Sequence, residues 1–441
     1  MNEKTVGIQG LMIKERFRQS IKCGTGEAYF ILRDNPSIDF SKEITKAALH
    51  NLALDGQVEG SRAFYVSRLI NLSTRKNEIV SLVLSALRQE QRDTCALVQL
   101  FDLAAIFAKD GDKEARKVIY KRYYKKIIEG SEWCGEDAIL ELDGLEGLKY
   151  IAEIRGKGFE KNPDDWEDSF LVDSFQEKNP TIKVYRELKK SAKGNLFIRK
   201  YVESIEKPPW PQSKRRKRPK YNYSKVHENI QNKKIVPIPP LWVKDLSKND
   251  IKKLAKDFLK ELDPEKQEKY LRVFKETEYP YNYGPILEIA KKPNSRKNRR
   301  VEYACEALQY FKGTDIRHFA LEKLNKTNIP ADYLALLIGN YRKGDWKLLR
   351  SIAAKYKDEN IIHSLVWSYV DIYKTNNTKE CKRPLETIYG KLNCGQHRFK
   401  ILEILHKNGV LSKKILKEME YDSYDQVREL HGQIIEKRSG R

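Results

Sequence analysis

The sequence predicts an all-α protein in which helix pairs follow one another, as in a helical-repeat solenoid. Apolar residues recur at helical spacing almost throughout the 441 residues, and short polar turns separate these segments. No hairpin or strand–helix–strand pattern interrupts them. Repeats of this kind bury their apolar faces against the neighbouring repeat.

Two stretches of the N-terminal half illustrate the periodicity. Residues 79–87 place apolar side chains at i, i+3, i+4 and i+7, and residues 97–107 do the same with a wider apolar face. The polar turn at 109–112 is so short that the helices on either side of it are predicted to be antiparallel neighbours. We predict a first helical-repeat block over residues 1–206.

The middle of the chain has a different composition. Residues 207–225 contain eight basic residues, four prolines and no acidic residue. Proline fixes φ and removes a backbone donor, and like charges repel one another. We therefore predict an extended, basic, Pro-rich linker over 207–245 and a second helical-repeat block over 246–441.

Three fragments place an acidic residue in a turn and an arginine a few residues later, where an apolar helix begins. The pairs are Asp112 and Arg116, Asp315 and Arg317, and Asp425 and Arg428. The acid can cap its helix, and the arginine can reach an acid or carbonyl of the adjoining repeat. These fragments, at 111–123, 313–324 and 424–435, resemble HEAT repeats. The resemblance implies a HEAT-like solenoid in two blocks.

The formal charge of +23 is concentrated in two acid-free runs, at 207–225 and 291–300. Clustered cations predict binding to the phosphate backbone of a nucleic acid, with double-stranded DNA as the expected partner and RNA as an open alternative. The predicted phosphate ligands are Lys214, Arg215, Arg216, Lys217, Arg218, Lys220, Lys291, Lys292, Arg296, Lys297, Arg299 and Arg300. Two alternatives stay open, a solvated Lys-rich surface and a nuclear localisation signal at 214–220. Similarly, Trp210, Tyr221 and Tyr223 can stack on bases or anchor the linker to a helix groove.

A tryptophan precedes an aspartate by one helical turn at two places, and such residues share a helix face. The pairs are Trp367 and Asp371, and Trp133 and Asp137. They resemble the Trp and Asp that lie beside the lesion's deoxyribose in the HEAT-like alkylpurine DNA glycosylases. The resemblance implies that a carboxylate, Asp371 first and Asp137 second, stabilises positive charge on the sugar while the indole shields it.

Other interpretations of these positions stay open. Trp367 is also consistent with a core residue, and Asp371 with a solvated helix end. Helix 93–104 is similar to the family's Trp-Asp-Leu-Val-Asp helix, but Cys95, Ala96 and Gln99 replace its Trp and Asp residues.

Two further segments carry charge without a recognisable motif. The acids of segment 136–146 do not have the spacing of a calcium-binding loop. We therefore predict that this segment pairs with a basic neighbouring repeat. The Gly-rich segment 24–30 is predicted to enter a helix with Glu27 in its first turn.

The six cysteines form no Cys-x-x-Cys pair, and Cys394 with His397 supplies at most half a zinc site, so we predict no metal and no cofactor. The sequence has no membrane span and no signal peptide, and this predicts a cytoplasmic protein. The predicted function is DNA binding with excision of an alkylated or otherwise altered base by a metal-independent DNA glycosylase. The alternative is a non-catalytic HEAT scaffold for an acidic protein partner.

Overall fold

The computed structural model describes residues 3–89, 93–129, 134–161, 166–206, 220–232, 238–293, 298–328 and 330–439. These residues are arranged in α-helices and two short 3-10 helices, with no β-strand among them. The predicted all-α class is therefore confirmed. No helix in this part of the chain is both long enough and apolar enough to cross a membrane.

In chain order, the first twelve α-helices are α1 Glu3–Cys23, α2 Glu27–Asp34, α3 Ser41–Leu49, α4 Gly56–Glu59, α5 Ala63–Leu72, α6 Lys76–Arg88, α7 Thr94–Lys109, α8 Lys113–Glu129, α9 Glu136–Lys161, α10 Phe170–Lys178, α11 Val184–Ala192 and α12 Leu196–Glu206. The others are α13 Tyr223–Gln231, α14 Pro240–Asp245, α15 Lys248–Lys260, α16 Pro264–Phe274, α17 Gly284–Ala290, α18 Arg300–Leu308, α19 Thr314–Lys326, α20 Ala331–Leu334, α21 Trp346–Lys355, α22 Glu359–Thr375, α23 Lys382–Tyr389, α24 Gly395–Lys407, α25 Lys413–Met419 and α26 Asp425–Ser439. The 3-10 helices are Ala335–Leu337 and Lys379–Cys381.

The chain forms two compact units. Among the described residues, unit 1 contains 3–206, 393–396 and 413–439, and unit 2 contains 220–392 and 397–412. Helices α1 to α3 and α5 to α9 of unit 1 surround one apolar core, and α9 to α12 surround a second. The long helix α9 contributes to both cores and is interrupted at Gly144, whose φ of 53° is in the left-handed region.

The last two helices belong to unit 1, whereas the sequence predicts one C-terminal block over 246–441. The Tyr421 ring stacks on Tyr29 with 3.8 Å between centroids, and the Ser423 amide donates to the Gly24 carbonyl at 2.8 Å. Gly26 allows this approach, because a Cβ atom there would lie 2.0 Å from the backbone oxygen of Glu418. The packing depends on glycines whose backbone is in direct contact with the C-terminal segment.

We expect Gly26→Ala to destabilise unit 1 by about 1–3 kcal/mol, the usual cost of overpacking. The measurement is urea unfolding of the full chain, followed by circular dichroism. Gly432→Ala is the matched control, since nothing lies within 4 Å of its Cβ position in α26. Alanine is favoured over glycine inside a helix by about 1 kcal/mol, so the control is expected to be neutral or stabilising. Equal effects of the two substitutions would contradict the close packing at Gly26.

Unit 2 begins inside the segment predicted to be an extended linker, and its described part contains helices α13 and α14. Asn222 caps α13 by accepting from the Lys225 amide at 3.2 Å, and Val226 and Ile230 bury one face of that helix. Pro240 occupies the first turn of α14, where a missing N–H costs nothing. Capping and an i, i+4 apolar pair therefore give this segment helical structure despite its prolines.

Arginines near helix starts bind acids further along the chain, as the sequence predicts. In unit 2, Arg317 forms two hydrogen bonds of 2.6 and 2.7 Å with Asp345, which lies 28 residues later. In unit 1, Arg116 pairs with Asp143, 27 residues later. Arg428 instead binds Asp425 of its own helix.

Candidate functional site

Helix α22 carries the first predicted catalytic pair. Asp358 caps the helix by accepting from the Asn360 and Ile361 amides at 3.0 and 3.1 Å. Its apolar side buries eight residues, namely Ile362, Leu365, Val366, Ser368, Tyr369, Val370, Ile372 and Tyr373. Trp367 and Asp371 lie at four-residue spacing outside this buried set.

Both members of the pair are accessible. The Trp367 side chain is 53% exposed, so Trp367 is not the core residue that the sequence left as an alternative. Asp371 is also exposed. Partial burial raises the pKa of the Asp371 carboxyl, and the Lys374 ammonium opposes this effect. The two side chains can therefore meet a ligand from solvent.

The Trp367 indole rests on a histidine of α24. The His397 and Trp367 rings lie 4.5 Å apart between centroids, at 87° to each other, which is the edge-to-face arrangement that aromatic pairs prefer. The His363 ring contacts His397 at the same centroid distance. Burial, and next the neighbouring His363, lower the pKa of His397 to about 4. A neutral imidazole therefore supports the indole near pH 7.

The second predicted pair lies in an acidic part of unit 1. Trp133 is outside the described residues, and Asp137 is exposed on α9. Asp137 lines a cleft of about 850 Å³ that also contains four other carboxylates, those of Glu136, Glu141, Asp168 and Glu177. Like charges at this density repel a phosphate backbone. Asp137 thus lies among other carboxylates, with Arg155 and Lys178 as the basic residues of the same cleft, whereas the neighbouring charge that acts on Asp371 is the Lys374 ammonium.

Part of the acidic segment pairs with neighbouring helices, as the sequence predicts. The Lys109 ammonium of α7 lies 2.6 Å from Glu141, and Arg116 of α8 binds Asp143. The phenol of Tyr120 also donates to Asp143. These contacts join α9 to the two helices before it.

The predicted phosphate ligands are only partly described. Lys214, Arg215, Arg216, Lys217, Arg218, Arg296 and Lys297, together with Trp210, lie outside the described residues. Lys220 and Lys292 are exposed. Acidic residues on either side of the second run bind two of its cations. Lys291 Nζ lies 2.7 Å from Glu288 Oε1, and Arg299 Nε donates to Glu302. Arg300 donates to Gln267 at 3.0 Å. The second run is therefore less positive than its acid-free sequence indicates.

The aromatic residues after the first basic run have partners within unit 2. Tyr221 stacks on Trp242 with 3.8 Å between ring centroids. The Tyr223 hydroxyl donates to Asp257 at 2.9 Å. This arrangement favours the anchoring interpretation for both tyrosines over base stacking.

A cleft of about 620 Å³ in unit 1, lined by α1, α2 and α25, was not predicted from the sequence. At its centre the Glu27 carboxylate accepts hydrogen bonds from Arg16 Nε at 2.9 Å, Ser20 Oγ at 2.7 Å and Lys414 Nζ at 2.9 Å. Burial raises the pKa of Glu27, but these donors outweigh it and lower the pKa to about 2. Glu27 was expected only as a first-turn acid, and these partners lie from 7 to 387 positions away in the chain.

Glu418 lies in the same cleft and behaves in the opposite way. Only 4% of this residue is exposed, and burial raises the pKa of its carboxyl to about 7. Lys414, whose Nζ lies 3.5 Å from Glu418 Oε1, opposes the shift, and the negative charge of Glu27 adds to it. Two neighbouring carboxyls thus have widely separated pKa values, an arrangement typical of acid–base sites but also of structural ion-pair networks.

The raised pKa predicts how the stability of unit 1 depends on pH. Between the ordinary pKa of about 4.5 and about 7, folded Glu418 keeps a proton that the unfolded chain has lost, so stability falls as pH rises. Glu418→Gln removes this loss and is expected to stabilise the protein at pH 8 by up to about 3 kcal/mol, with little effect at pH 4. Unfolding in urea at both pH values measures it.

Glu27→Gln serves as the contrasting variant. Because the pKa of Glu27 is lowered to about 2, its carboxylate contributes stability above pH 4.5 that is lost as pH falls toward 2. This substitution is expected to destabilise the protein at pH 8. If both variants shift stability in the same direction at pH 8, the assignment of opposite pKa shifts is wrong.

Comparison of the chain with known protein families, with curated proteins and with solved structures finds no match.

Proposed function

We propose that the chain is a DNA-binding, HEAT-like helical-repeat protein and that α22 carries a base-excision site. One observation carries the proposal: Trp367 and Asp371 lie one helical turn apart and are both exposed. Neither the indole nor the carboxylate is buried in the core of unit 2. The pair suits a ligand that needs both an aromatic surface and a negative charge.

Excision of a base by hydrolysis fits these two groups. The bond between the sugar C1′ and the base nitrogen breaks, the base leaves with the electron pair and gains a proton, and water adds its oxygen to C1′. Positive charge builds on the sugar during this step. The Asp371 carboxylate stabilises that charge and orients the water, while the Trp367 indole shields it from bulk solvent.

The repeat architecture is supported by the spacing of side-chain hydrogen bonds. In unit 2 the Lys275–Glu306, Arg317–Asp345 and Tyr341–Glu380 pairs join residues 31, 28 and 39 positions apart. In unit 1 the Arg116–Asp143 pair spans 27 positions. The separation of 39 positions is close to one helix pair of a HEAT-like repeat, about 40 residues, and the separations of 27, 28 and 31 positions correspond to shorter helix pairs.

For DNA binding, the proposal rests on the basic runs around 214–220 and 291–300. Lys220 and Lys292 are the exposed members among the described residues that are best placed to neutralise phosphates. Each cation that does so releases condensed counterions, so affinity is expected to fall steeply with salt.

The test uses a labelled duplex in an alkylated and a plain form. Gel shifts at low and moderate salt measure binding, and alkali cleavage after incubation reveals abasic sites. We expect binding of both duplexes at low salt and abasic sites in the alkylated one alone. No shift at low salt overturns the proposal. A salt-sensitive shift without abasic sites overturns excision and leaves a non-catalytic DNA-binding protein, whereas binding to an acidic protein but not to DNA identifies the scaffold.

A further inference from the structure

The last residues of the second basic run are bound to helix α16, and both lie in unit 2. The Arg299 amide donates to Glu268 Oε2 at 3.1 Å, across 31 positions of the chain. The Arg300 guanidinium donates to Gln267 Oε1 at 3.0 Å, across 33 positions. The end of the run and α16 therefore form one surface, although α16 belongs to neither of the two acid-free runs.

Cations from both parts of this surface meet at the ring of Tyr303 in α18. Arg272 Cζ and Lys275 Nζ lie 5.3 and 5.2 Å from the ring centroid, and Arg299 Cζ lies 4.9 Å from it. The negative face of an aromatic ring attracts cations, and this attraction offsets part of their mutual repulsion. Only 3% of Tyr303 is exposed, so a buried ring holds three positive side chains close together.

Two of these three cations are neutralised by acidic partners. Lys275 Nζ lies 2.9 Å from Glu306 Oε2. Arg299 Nε donates to Glu302 Oε2 at 2.7 Å. The field of a paired cation is largely cancelled by its carboxylate, so an external phosphate gains little from approaching it. Lys275 and Arg299 are therefore poor phosphate ligands, even though Arg299 belongs to the basic run.

Arg272 and Arg300 keep their full charge, because their hydrogen-bond partners are neutral. Arg272 Nε donates to the Tyr303 hydroxyl at 3.2 Å, and Arg300 Nη1 donates to the Gln267 side chain. Neither arginine has an acidic partner in the described part of the chain, and both are partly exposed. A guanidinium has five N–H donors, so each retains donors that match the oxygens of a phosphate. Side chains that are held in place lose less entropy on binding.

We propose that Arg272 and Arg300 bind phosphate groups of duplex DNA, so that the DNA-binding surface of unit 2 extends from the second basic run onto α16. This inference rests on the DNA binding proposed above. It assigns a phosphate ligand, Arg272, to a helix that the charge runs of the sequence do not include. Contacts to phosphates carry no sequence information, so both arginines should act alike on every duplex.

The salt dependence of duplex binding tests the two arginines. Binding of the full chain to a labelled plain duplex is followed by fluorescence anisotropy from low to moderate salt. The slope of log affinity against log salt changes by about 0.9 for each phosphate that is neutralised. We expect Arg272→Gln and Arg300→Gln each to make the slope shallower by about this amount. Glutamine keeps a donor for each neutral partner, and circular dichroism verifies that both variants stay helical.

The matched control is Lys275→Gln, which removes one positive charge from the same ring but leaves the two proposed ligands in place. Its slope should equal that of the unaltered chain. Unchanged slopes in both arginine variants overturn this inference, while the proposed DNA binding stands. An equal loss in Lys275→Gln also overturns it, because net charge then accounts for the effect. If the unaltered chain does not bind the duplex at low salt, the proposed function and this inference are both wrong.

Discussion

Asp371→Asn is expected to slow release of the altered base by about 100-fold or more, the usual effect of removing one group that stabilises developing charge. The amide keeps the size of the side chain but cannot balance positive charge on the sugar. Duplex binding should be unchanged or slightly tighter, because the substitution removes a negative charge near the phosphates. Single-turnover cleavage of alkylated duplex and gel shifts of the same protein measure the two effects.

The control for this variant is Asp110→Asn, at an exposed carboxylate between α7 and α8 of unit 1. It should release the base at the unaltered rate.

Trp367→Phe, which keeps an aromatic ring, should lose less activity than Trp367→Ala. Normal activity of Asp371→Asn would remove Asp371 from the proposed mechanism, even if the chain binds DNA as expected.

Arg317→Met is expected to cost about 3–5 kcal/mol of unfolding free energy, the usual result of breaking a buried ion pair. Arg317 is 9% exposed and binds Asp345 through both Nη atoms, while Nη1 also donates to the Asn340 carbonyl at 2.8 Å. Methionine fills part of the volume but leaves the buried Asp345 carboxylate without its cation. Urea unfolding of the full chain measures the loss.

Two further variants separate the ion pair from simple loss of an arginine. Arg350→Met, at an exposed position of α21, should change stability by less than about 0.5 kcal/mol. Replacing both partners, as in Arg317→Met with Asp345→Leu, should recover much of the loss because no unpaired charge stays buried. A double variant as unstable as the single one would show that packing, and not the charge, accounts for the effect.

The spacing of residues along the sequence predicted the helical class and the side-chain positions that follow from helix periodicity. Helical periodicity identified the all-α class, and the motif at 313–324 correctly placed Arg317 in contact with an acid further along the chain. Four-residue spacing placed Trp367 and Asp371 together on α22. Exposure decided which interpretation of Trp367 holds, and exposure depends on the packing of other helices.

Contacts between distant residues were not predictable in this way. Glu27 binds Lys414 across 387 positions, and no local pattern in residues 24–30 indicates that partner. The proximity of His363 to His397 likewise depends on how α22 packs near α24. The helices of 223–231 and 240–245 were missed because prolines and positive charge outweighed a weak apolar pattern.

The packing of α25 and α26 with the first helices has a consequence for synthesis on the ribosome. Residues that contact Gly24, Gly26 and Glu27 are translated after all of 220–392, so the ribosome has made most of unit 2 before unit 1 can complete its packing. Until then the nascent unit 1 exposes the surface that α25 later covers. Unit 1 is therefore expected to complete its packing only after most of unit 2 has been synthesised, although its first residues are made earlier.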